Sequence, residues 1–243
     1  MAKAKAPPAS SLAPPALTAS TASTSSVALA PRAGPLNIRR VTWPAGEAIH
    51  RIHLNVYAAD GFNPGLKGNA RFSPIRSAAG VPIPTLYGGT TFECAAMETV
   101  FHDVPFAPGI KQHDKAKLVG QAYSRLTPQF DLKLVDLSVV ALRHLGVQRD
   151  RLIDTESSEY PITRLWAQAF HTQFPDIQGL WWVSRQDDRA RAIVLFGDRI
   201  KPNDLVQTAV SRDVLDDEDA YTELLQPANT IGVRLVAGKA SRP

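Results

Sequence analysis

A single acidic residue inside an apolar helix constrains this chain more than any other feature. The segment TTFECAAMETV, residues 90–100, begins with two threonines and continues as an almost entirely apolar run that contains Glu98. At 3.6 residues per turn, apolar side chains cover most of the circumference of this helix, and a helix apolar all round is usually buried. A buried carboxylate without a partner costs several kcal/mol of desolvation. We therefore expect Glu98 either to be paired inside the protein or to reach water from a kinked or shallow helix.

The neighbouring acidic residue has a local explanation. Thr90-Thr91-Phe92-Glu93 has the S/T-x-x-E form of a capping box, in which a threonine hydroxyl and a carboxylate satisfy free backbone amides. Glu93 also places negative charge at the positive end of the helix dipole. Neither argument applies to Glu98, which lies beyond the first turn.

The charge of the chain is unevenly distributed. Of its 27 basic side chains five lie in residues 1–40, where none of the 23 acidic side chains is found. Residues 1–37 are rich in Ala, Pro, Ser and Thr, so they have too little apolar surface to offset the entropy of ordering. We predict a disordered tail at 1–37, rather than a targeting signal, and one domain at 38–243. The remaining residues have no basic excess of the kind that nucleic-acid binding requires.

The cellular location is predicted from cysteine and hydropathy. The single cysteine, Cys94, excludes an intramolecular disulfide and is compatible with a reducing cytoplasm. Its place on an apolar helix without an adjacent base favours a buried structural cysteine over a nucleophile. The sequence contains no run of 18 apolar residues, so we expect no transmembrane helix.

Periodicity predicts a single α+β domain. Residues 48–56 alternate as a half-buried strand, with Ile52, Leu54 and Val56 on one face and Arg51, His53 and Asn55 on the other. Residues 60–74 form a Gly-rich loop, and the Glu98 helix follows a short strand. Further strands are predicted at 83–87, 130–138, 179–184, 191–198 and 229–236, and helices at 139–146 and 161–174.

Several common sites are excluded by their missing motifs. The chain has no P-loop, no G-x-G-x-x-G after a strand and no G-x-S-x-G elbow. Its six histidines form no H-x-x-x-H pair or Cys/His cluster, so we expect no metal. The polar residues left at the edges of apolar elements are Arg51, Arg71, Tyr87, Glu98 and Ser184. Alone, the arginines are most simply surface residues, Tyr87 an aromatic at the core edge and Ser184 a turn residue. Together the five supply what an anionic nucleotide needs.

Five motifs, in this order, resemble the RES domain family, which is named for its Arg, Glu and Ser. They are Arg51 in HRIHLN, Arg71 in NARFSP, the strand end Leu86-Tyr87, the helix segment Ala95-Ala96-Met97-Glu98, and GLWWVS ending in Ser184, followed by IVLF. The resemblance spans about residues 45–200. The chain departs from the family pattern in having Ala70 where the loop usually has Gly, and in a longer stretch between Phe72 and Leu86.

The resemblance implies a fold like that of ADP-ribosyltransferase toxins, with a mixed, largely antiparallel β core, and the consumption of NAD⁺. It implies cleavage of the nicotinamide–ribose bond by phosphorolysis or hydrolysis, with phosphate as a possible co-substrate. Glu98 would stabilise the ribose cation, and Arg51 and Arg71 would hold the pyrophosphate. Tyr87 would pack on a ring of the dinucleotide, and Ser184 would hydrogen-bond the substrate or Glu98.

The resemblance also implies a partner and leaves two other functions open. RES proteins typically occur as toxins neutralised by a helix-turn-helix antitoxin of the Xre type. From charge and hydropathy we expect no direct binding of nucleic acid or membrane. One alternative is a mono-ADP-ribosyltransferase that modifies a specific protein with the same residues. The other is a non-catalytic interaction protein with a RES-like core.

Overall fold

The computed structural model of the chain describes residue 1, residues 29–65 and residues 67–238. Most of the predicted tail, residues 2–28, lies outside the described residues. Within the described part, no helix is both long enough and apolar enough to span a membrane.

The described residues form four α-helices and thirteen β-strands. The helices are α1 (Phe92–Thr99), α2 (Val139–Leu145), α3 (Tyr160–Gln173) and α4 (Glu218–Thr230). The strands are β1 (Arg39–Trp43), β2 (Ile49–Leu54), β3 (Ile75–Arg76), β4 (Pro82–Ile83), β5 (Thr85–Gly89), β6 (Lys111–Asp114), β7 (Gln121–Pro128), β8 (Leu132–Asp136), β9 (Gly179–Val183), β10 (Arg191–Phe196), β11 (Leu205–Gln207), β12 (Arg212–Asp213) and β13 (Val233–Val236).

One large sheet organises the domain. Its strand order is β1-β8-β9-β10-β5-β2-β7-β11, and β12 also pairs with β7. β8 and β9 run parallel, whereas the other neighbours in this sheet, within the described residues, are antiparallel. Two small sheets, β3-β4 and the parallel pair β6-β13, lie outside it. The predicted fold class, α+β with a mixed and largely antiparallel core, is confirmed.

Apolar side chains cover both faces of the large sheet. Successive residues of β10 point to opposite faces, so Val194 packs in one core cluster with α2 and α3, while Ile193 packs in another with Trp43 and Leu86. A third cluster joins α1 to α4, β2 and β13. The helix that contains Glu98 is therefore enclosed between the sheet and the C-terminal segment.

The prediction for the strand at 48–56 needs correction. β2 forms, but Leu54 and Val56 are exposed, whereas Arg51 and His53 are only 6% and 7% exposed. β5 and β7 cover only the edges of β2, whereas Ile52 on one of its faces packs in a core cluster with α1. The polar side chains instead face an internal cavity, which alternation alone does not reveal.

The C-terminal region also differs from the prediction. The last strand begins at Val233, and residues 229–230 belong to the end of α4, which the sequence analysis did not predict. Asp217 caps α4 by accepting a hydrogen bond from the Ala220 amide at 2.8 Å. Strand β7, which pairs with β2, β11 and β12 near one edge of the sheet, was also missed.

Residues 29–37, which composition assigns to the tail, contact α3. The Trp166 indole donates to the carbonyl of Leu29, and the Leu36 amide donates to Oε1 of Gln173 at 2.8 Å. Leu36 and Ile38 pack against the core. Contact with the domain therefore begins before residue 38.

Candidate functional site

A cavity opens where two neighbouring strands of the sheet separate. β2 and β5 pair at His50 and Gly89, whereas β2 pairs with β7 over its whole length. Side chains from both strands line a cavity of about 280 Å³, together with the Gly-rich loop and the end of α1. We call it the first cavity. Its lining includes four of the five predicted site residues, Arg51, Arg71, Tyr87 and Glu98.

Arg51 is held rigidly at the wall of this cavity. Its Nη1 donates to the carbonyls of Ala59 at 2.7 Å and Gly61 at 2.9 Å, which fixes the loop after β2. Its Nε is buried and has no hydrogen-bond partner among the described residues. Burial lowers the pKa of Arg51 to about 10, so its guanidinium stays charged at neutral pH.

Glu98 is paired with Arg71, which answers the question that the sequence raises. Its Oε2 lies 3.7 Å from Nη1 of Arg71, and its Oε1 accepts a hydrogen bond from the Arg185 amide at 3.3 Å. The two side chains are 9% and 6% exposed. The alternative of a kinked or shallow helix that exposes Glu98 to water is therefore wrong.

The capping of α1 differs from the predicted capping box. Thr91 is the N-cap and accepts from the Cys94 amide at 3.1 Å, so Glu93 does not occupy the third helical position. The Thr90 hydroxyl instead accepts from the Arg191 amide on β10. Cys94 is buried, and burial, with a smaller contribution from Glu98, raises the pKa of its thiol. These contacts agree with a structural role for Cys94.

Arg71 is positioned by the loop and by α3. Its guanidinium lies 5.6 Å from the centre of the Tyr160 ring, and its carbonyl accepts from the Thr163 hydroxyl. Nε of Arg71, like that of Arg51, is buried without a hydrogen-bond partner among the described residues. Among the described residues, Arg71 therefore has one charged partner, Glu98, besides the Tyr160 ring.

Tyr87 presents its ring to the cavity while its hydroxyl is engaged by the protein. The hydroxyl oxygen accepts from the Phe72 amide at 2.9 Å, and the ring meets Trp182 edge-on. Burial raises the pKa of Tyr87 to about 12. The phenol is therefore neutral, and stacking of its ring on a ligand stays a prediction.

Ser184 is not among the described residues that line the cavity. It is fully buried, and its Oγ accepts from the amides of Gln186 and Asp187, both at 3.3 Å. Of the two partners predicted for Ser184, the substrate or Glu98, Glu98 accepts instead from the Arg185 amide, and a bond from Ser184 to the substrate stays a prediction. Ser184 stabilises the turn that places this amide.

The sequence analysis missed several residues of the cavity wall, including His53, His102 and Tyr160. His53 lies two residues from Arg51 on the same strand face, so alternation could have found it. Nδ1 of His53 donates to the Leu54 carbonyl at 3.0 Å, and its Nε2 lies 2.8 Å from the Ser124 hydroxyl. Burial, and then the charge of Arg51, lower the pKa of His53 to about 4, so the ring is neutral.

The buried charges of the cavity do not balance. Two guanidiniums, Arg51 and Arg71, face one carboxylate, Glu98, while His53 and Tyr87 are neutral. An uncompensated buried cation is costly, and the buried Nε atoms add unsatisfied donors. An anion in the cavity would balance the excess positive charge. Within the described residues, no group of three or more His, Cys, Asp or Glu side chains could hold a metal ion.

Fold and site together define a protein with a cavity that holds two guanidiniums beside a buried carboxylate. The chain belongs to the RES domain family, whose family model matches residues 48–216. The match confirms the resemblance and leaves α4 and β13 outside it.

A solved structure shows the same fold. The chain is similar to a chain of the crystal structure of the M. tuberculosis MbcT–MbcA toxin–antitoxin complex, with a TM-score of 0.55 and 16% sequence identity. The similarity covers 75% of this chain and 91% of that one. The comparison with curated proteins gave no significant match.

Proposed function

We propose that this protein is a toxin that consumes NAD⁺ by breaking its nicotinamide–ribose bond, by phosphorolysis or hydrolysis. One observation supports this most strongly. The first cavity buries two guanidiniums against a single carboxylate and leaves the Nε atoms of Arg51 and Arg71 without partners among the described residues. A pyrophosphate supplies the negative charge that balances the second guanidinium.

Glu98 is the group that acts on the reacting bond. When the bond between ribose C1 and the nicotinamide nitrogen breaks, its electron pair stays on the nicotinamide and positive charge develops on the ribose. A carboxylate that is 9% exposed acts in a medium of low dielectric, so its attraction for this charge is strong. The Arg185 amide and Arg71 hold Glu98 in place, and Ser184 supports it through the turn.

The size of the cavity indicates which part of the dinucleotide it takes. About 280 Å³ is slightly below the usual range of about 300–1,000 Å³ for small-molecule sites. The nicotinamide riboside half fits there, with Tyr87 against a ring. The pyrophosphate lies between Arg51 and Arg71, and the adenosine extends along the Gly-rich loop.

A protein partner follows from the same proposal. The structural neighbour was solved as a toxin–antitoxin complex. We expect this chain to be neutralised by a helix-turn-helix antitoxin of the Xre type. Expression of the chain alone should arrest growth and deplete NAD⁺, and co-expression of such a protein should relieve both effects. Unchanged growth and constant NAD⁺ would refute the toxin proposal.

The enzyme proposal is tested by incubating the purified protein with NAD⁺ alone, with phosphate, and with cell lysate. Loss of NAD⁺ that requires phosphate indicates a phosphorylase, and loss in its absence indicates a hydrolase. Labelled protein bands indicate the alternative, a mono-ADP-ribosyltransferase, and no loss refutes the enzyme proposal. Arg51→Met should weaken NAD⁺ binding, whereas Arg143→Met, an exposed arginine on α2, is the matched control.

A further inference from the structure

The first residue of α3, Tyr160, forms part of the wall of the first cavity and is 2% exposed. Its main chain is fixed by Arg164, whose Nε donates to the Tyr160 carbonyl at 3.0 Å. Nη2 of Arg164 donates at the same time to Oδ1 of Asn69, in the Gly-rich loop, at 2.8 Å. The start of α3 is therefore fastened to the loop that lines the cavity, and the Tyr160 side chain is held at a defined place in the wall.

Tyr160 and Glu98 flank the same guanidinium. Nη1 of Arg71 lies 3.7 Å from Oε2 of Glu98, and the central carbon of the guanidinium lies 5.6 Å from the centre of the Tyr160 ring. The charges of Arg71 and Glu98 both act on the Tyr160 phenol. Tyr160 thus lies close to the carboxylate beside which the reacting ribose is proposed to bind.

The hydroxyl of Tyr160 is free to contact a ligand. It has no hydrogen-bond partner among the described residues, whereas the Tyr87 hydroxyl accepts from the Phe72 amide at 2.9 Å. Its oxygen nevertheless keeps accessible surface, unlike the sealed Nε atoms of Arg51 and Arg71. Because Tyr160 is otherwise buried and lines the cavity, this surface belongs to the cavity. Burial raises the pKa of Tyr160, so the phenol is neutral and keeps a proton to donate.

We propose that the Tyr160 hydroxyl is a specificity-determining group that donates a hydrogen bond to a ribose hydroxyl in the nicotinamide half of NAD⁺, beside Glu98. This inference rests on the proposed binding and cleavage of NAD⁺. A ribose hydroxyl is both a donor and an acceptor, whereas the Glu98 carboxylate can only accept. Glu98 takes the hydrogen of the ribose hydroxyl, and Tyr160 supplies a hydrogen to its oxygen. Together the two side chains select a ligand with a ribose at this place over one that ends at the pyrophosphate.

Tyr160→Phe tests the proposal, because phenylalanine keeps a ring over Arg71 and removes only the hydroxyl. The probes are ADP-ribose, which carries the pyrophosphate and the ribose in question, and ADP, which lacks that ribose. Measured by calorimetry, the Kd of ADP-ribose should rise about 3- to 10-fold in the variant, the usual effect of losing one neutral hydrogen bond. The Kd of ADP should be unchanged, because ADP has no group for the hydroxyl to contact.

The melting temperature of the ligand-free protein separates this role from a structural one. Tyr160→Phe should melt at the wild-type temperature, because the hydroxyl has no partner among the described residues. Tyr87→Phe should melt at a lower temperature, because it leaves the Phe72 amide without its acceptor. Tyr221→Phe, on α4 and outside the first cavity, is the matched control and should change neither the melting temperature nor either Kd.

The outcomes separate this inference from the proposed function. Equal weakening of ADP-ribose and ADP, or no change in either, overturns the inference, since the hydroxyl then makes no contact with that ribose. A lower melting temperature of ligand-free Tyr160→Phe also overturns it, because it indicates a structural hydroxyl. If the wild type binds ADP-ribose but releases no nicotinamide from NAD⁺, the proposed function fails, and calorimetry still decides the ribose contact. If the wild type binds neither ADP-ribose nor NAD⁺, both are wrong.

Discussion

Glu98→Gln replaces the buried carboxylate with an amide of nearly the same shape. Glutamine keeps an oxygen that can accept from the Arg185 amide, so this contact, at 3.3 Å, survives. The charge pair with Arg71 does not survive, because its attraction depends on the carboxylate. The substitution thus removes one charge and little else.

The stability effect can be calculated from the geometry. At 3.7 Å the attraction between Glu98 and Arg71 is about 4.5 kcal/mol with an effective dielectric constant of about 20. Breaking a buried pair from one side typically costs about 3–5 kcal/mol, because the other charge is left unpaired. We expect the free energy of unfolding to fall by about 3–4 kcal/mol. Bound NAD⁺ should restore part of this loss, since its phosphates pair with Arg71.

The kinetic effect should be larger than the effect on binding. Loss of a preorganised electrostatic group lowers kcat by about 10²–10³. NAD⁺ affinity should be unchanged or higher, because Arg71 is released for the pyrophosphate and a repelling carboxylate is gone. Melting temperature, affinity by calorimetry and nicotinamide release should be measured on the same sample, below its melting temperature.

A matched control lies on the same helix. Glu93→Gln removes a carboxylate from the first turn of α1, away from the first cavity, and should cost about 0.3–1 kcal/mol with kcat unchanged. The reasoning is refuted if folded Glu98→Gln releases nicotinamide at the wild-type rate. It is also refuted if the variant loses NAD⁺ affinity while kcat is retained.

Three further predictions concern the surroundings of the site. The pKa of His53 is lowered in the folded protein from 6.5 to about 4. The contribution of neutral His53 to the free energy of unfolding should therefore be complete above pH 6.5 and fall towards pH 4 by up to about 1.4 kcal/mol per pH unit. His53→Gln should make the free energy of unfolding in urea depend less on pH between pH 5 and 7. If its dependence on pH equals that of the wild type, the lowered pKa of His53 is contradicted. Ser184→Ala should lower kcat by about 10- to 100-fold because it displaces the Arg185 amide, and NAD⁺ affinity should be retained. A loss of affinity without loss of kcat would instead indicate that Ser184 contacts NAD⁺ directly. A chain that begins at residue 38 should melt roughly 2–8 °C below one that begins at residue 29, since it lacks the contacts of residues 29–37 with α3. Equal melting temperatures would show that these contacts add no stability.

Local sequence signals were sufficient to predict many of the helices and strands. The capped apolar helix α1, the amphipathic helix α3 and the hairpin of β9 and β10 all carry their own periodicity. The position of Glu98 in an apolar helix also correctly indicated a buried partner, because the cost of burying an unpaired carboxylate does not depend on the fold. The identity of that partner required the structure.

Other features depend on contacts between distant segments. Alternation placed Arg51 and His53 on one side of β2, but only the separation of β2 from β5 makes that side a cavity wall. Ser184 follows a strand as predicted, yet the direction of its hydroxyl is set by the turn after it. Helix α4 carried a readable signal in Ala220, Leu224 and Ala228, spaced by four residues.

The identity of the bond that breaks tests the central claim most directly. Purified protein should be incubated with NAD⁺ labelled in the nicotinamide ring, and the labelled products separated and identified by mass spectrometry. If the first cavity places the ribose beside Glu98, the label should appear as free nicotinamide. The Arg71→Met and Glu98→Gln variants should release it much more slowly than the wild type. Labelled nicotinamide mononucleotide would show cleavage at the pyrophosphate instead, and either this product or unchanged NAD⁺ would contradict the account.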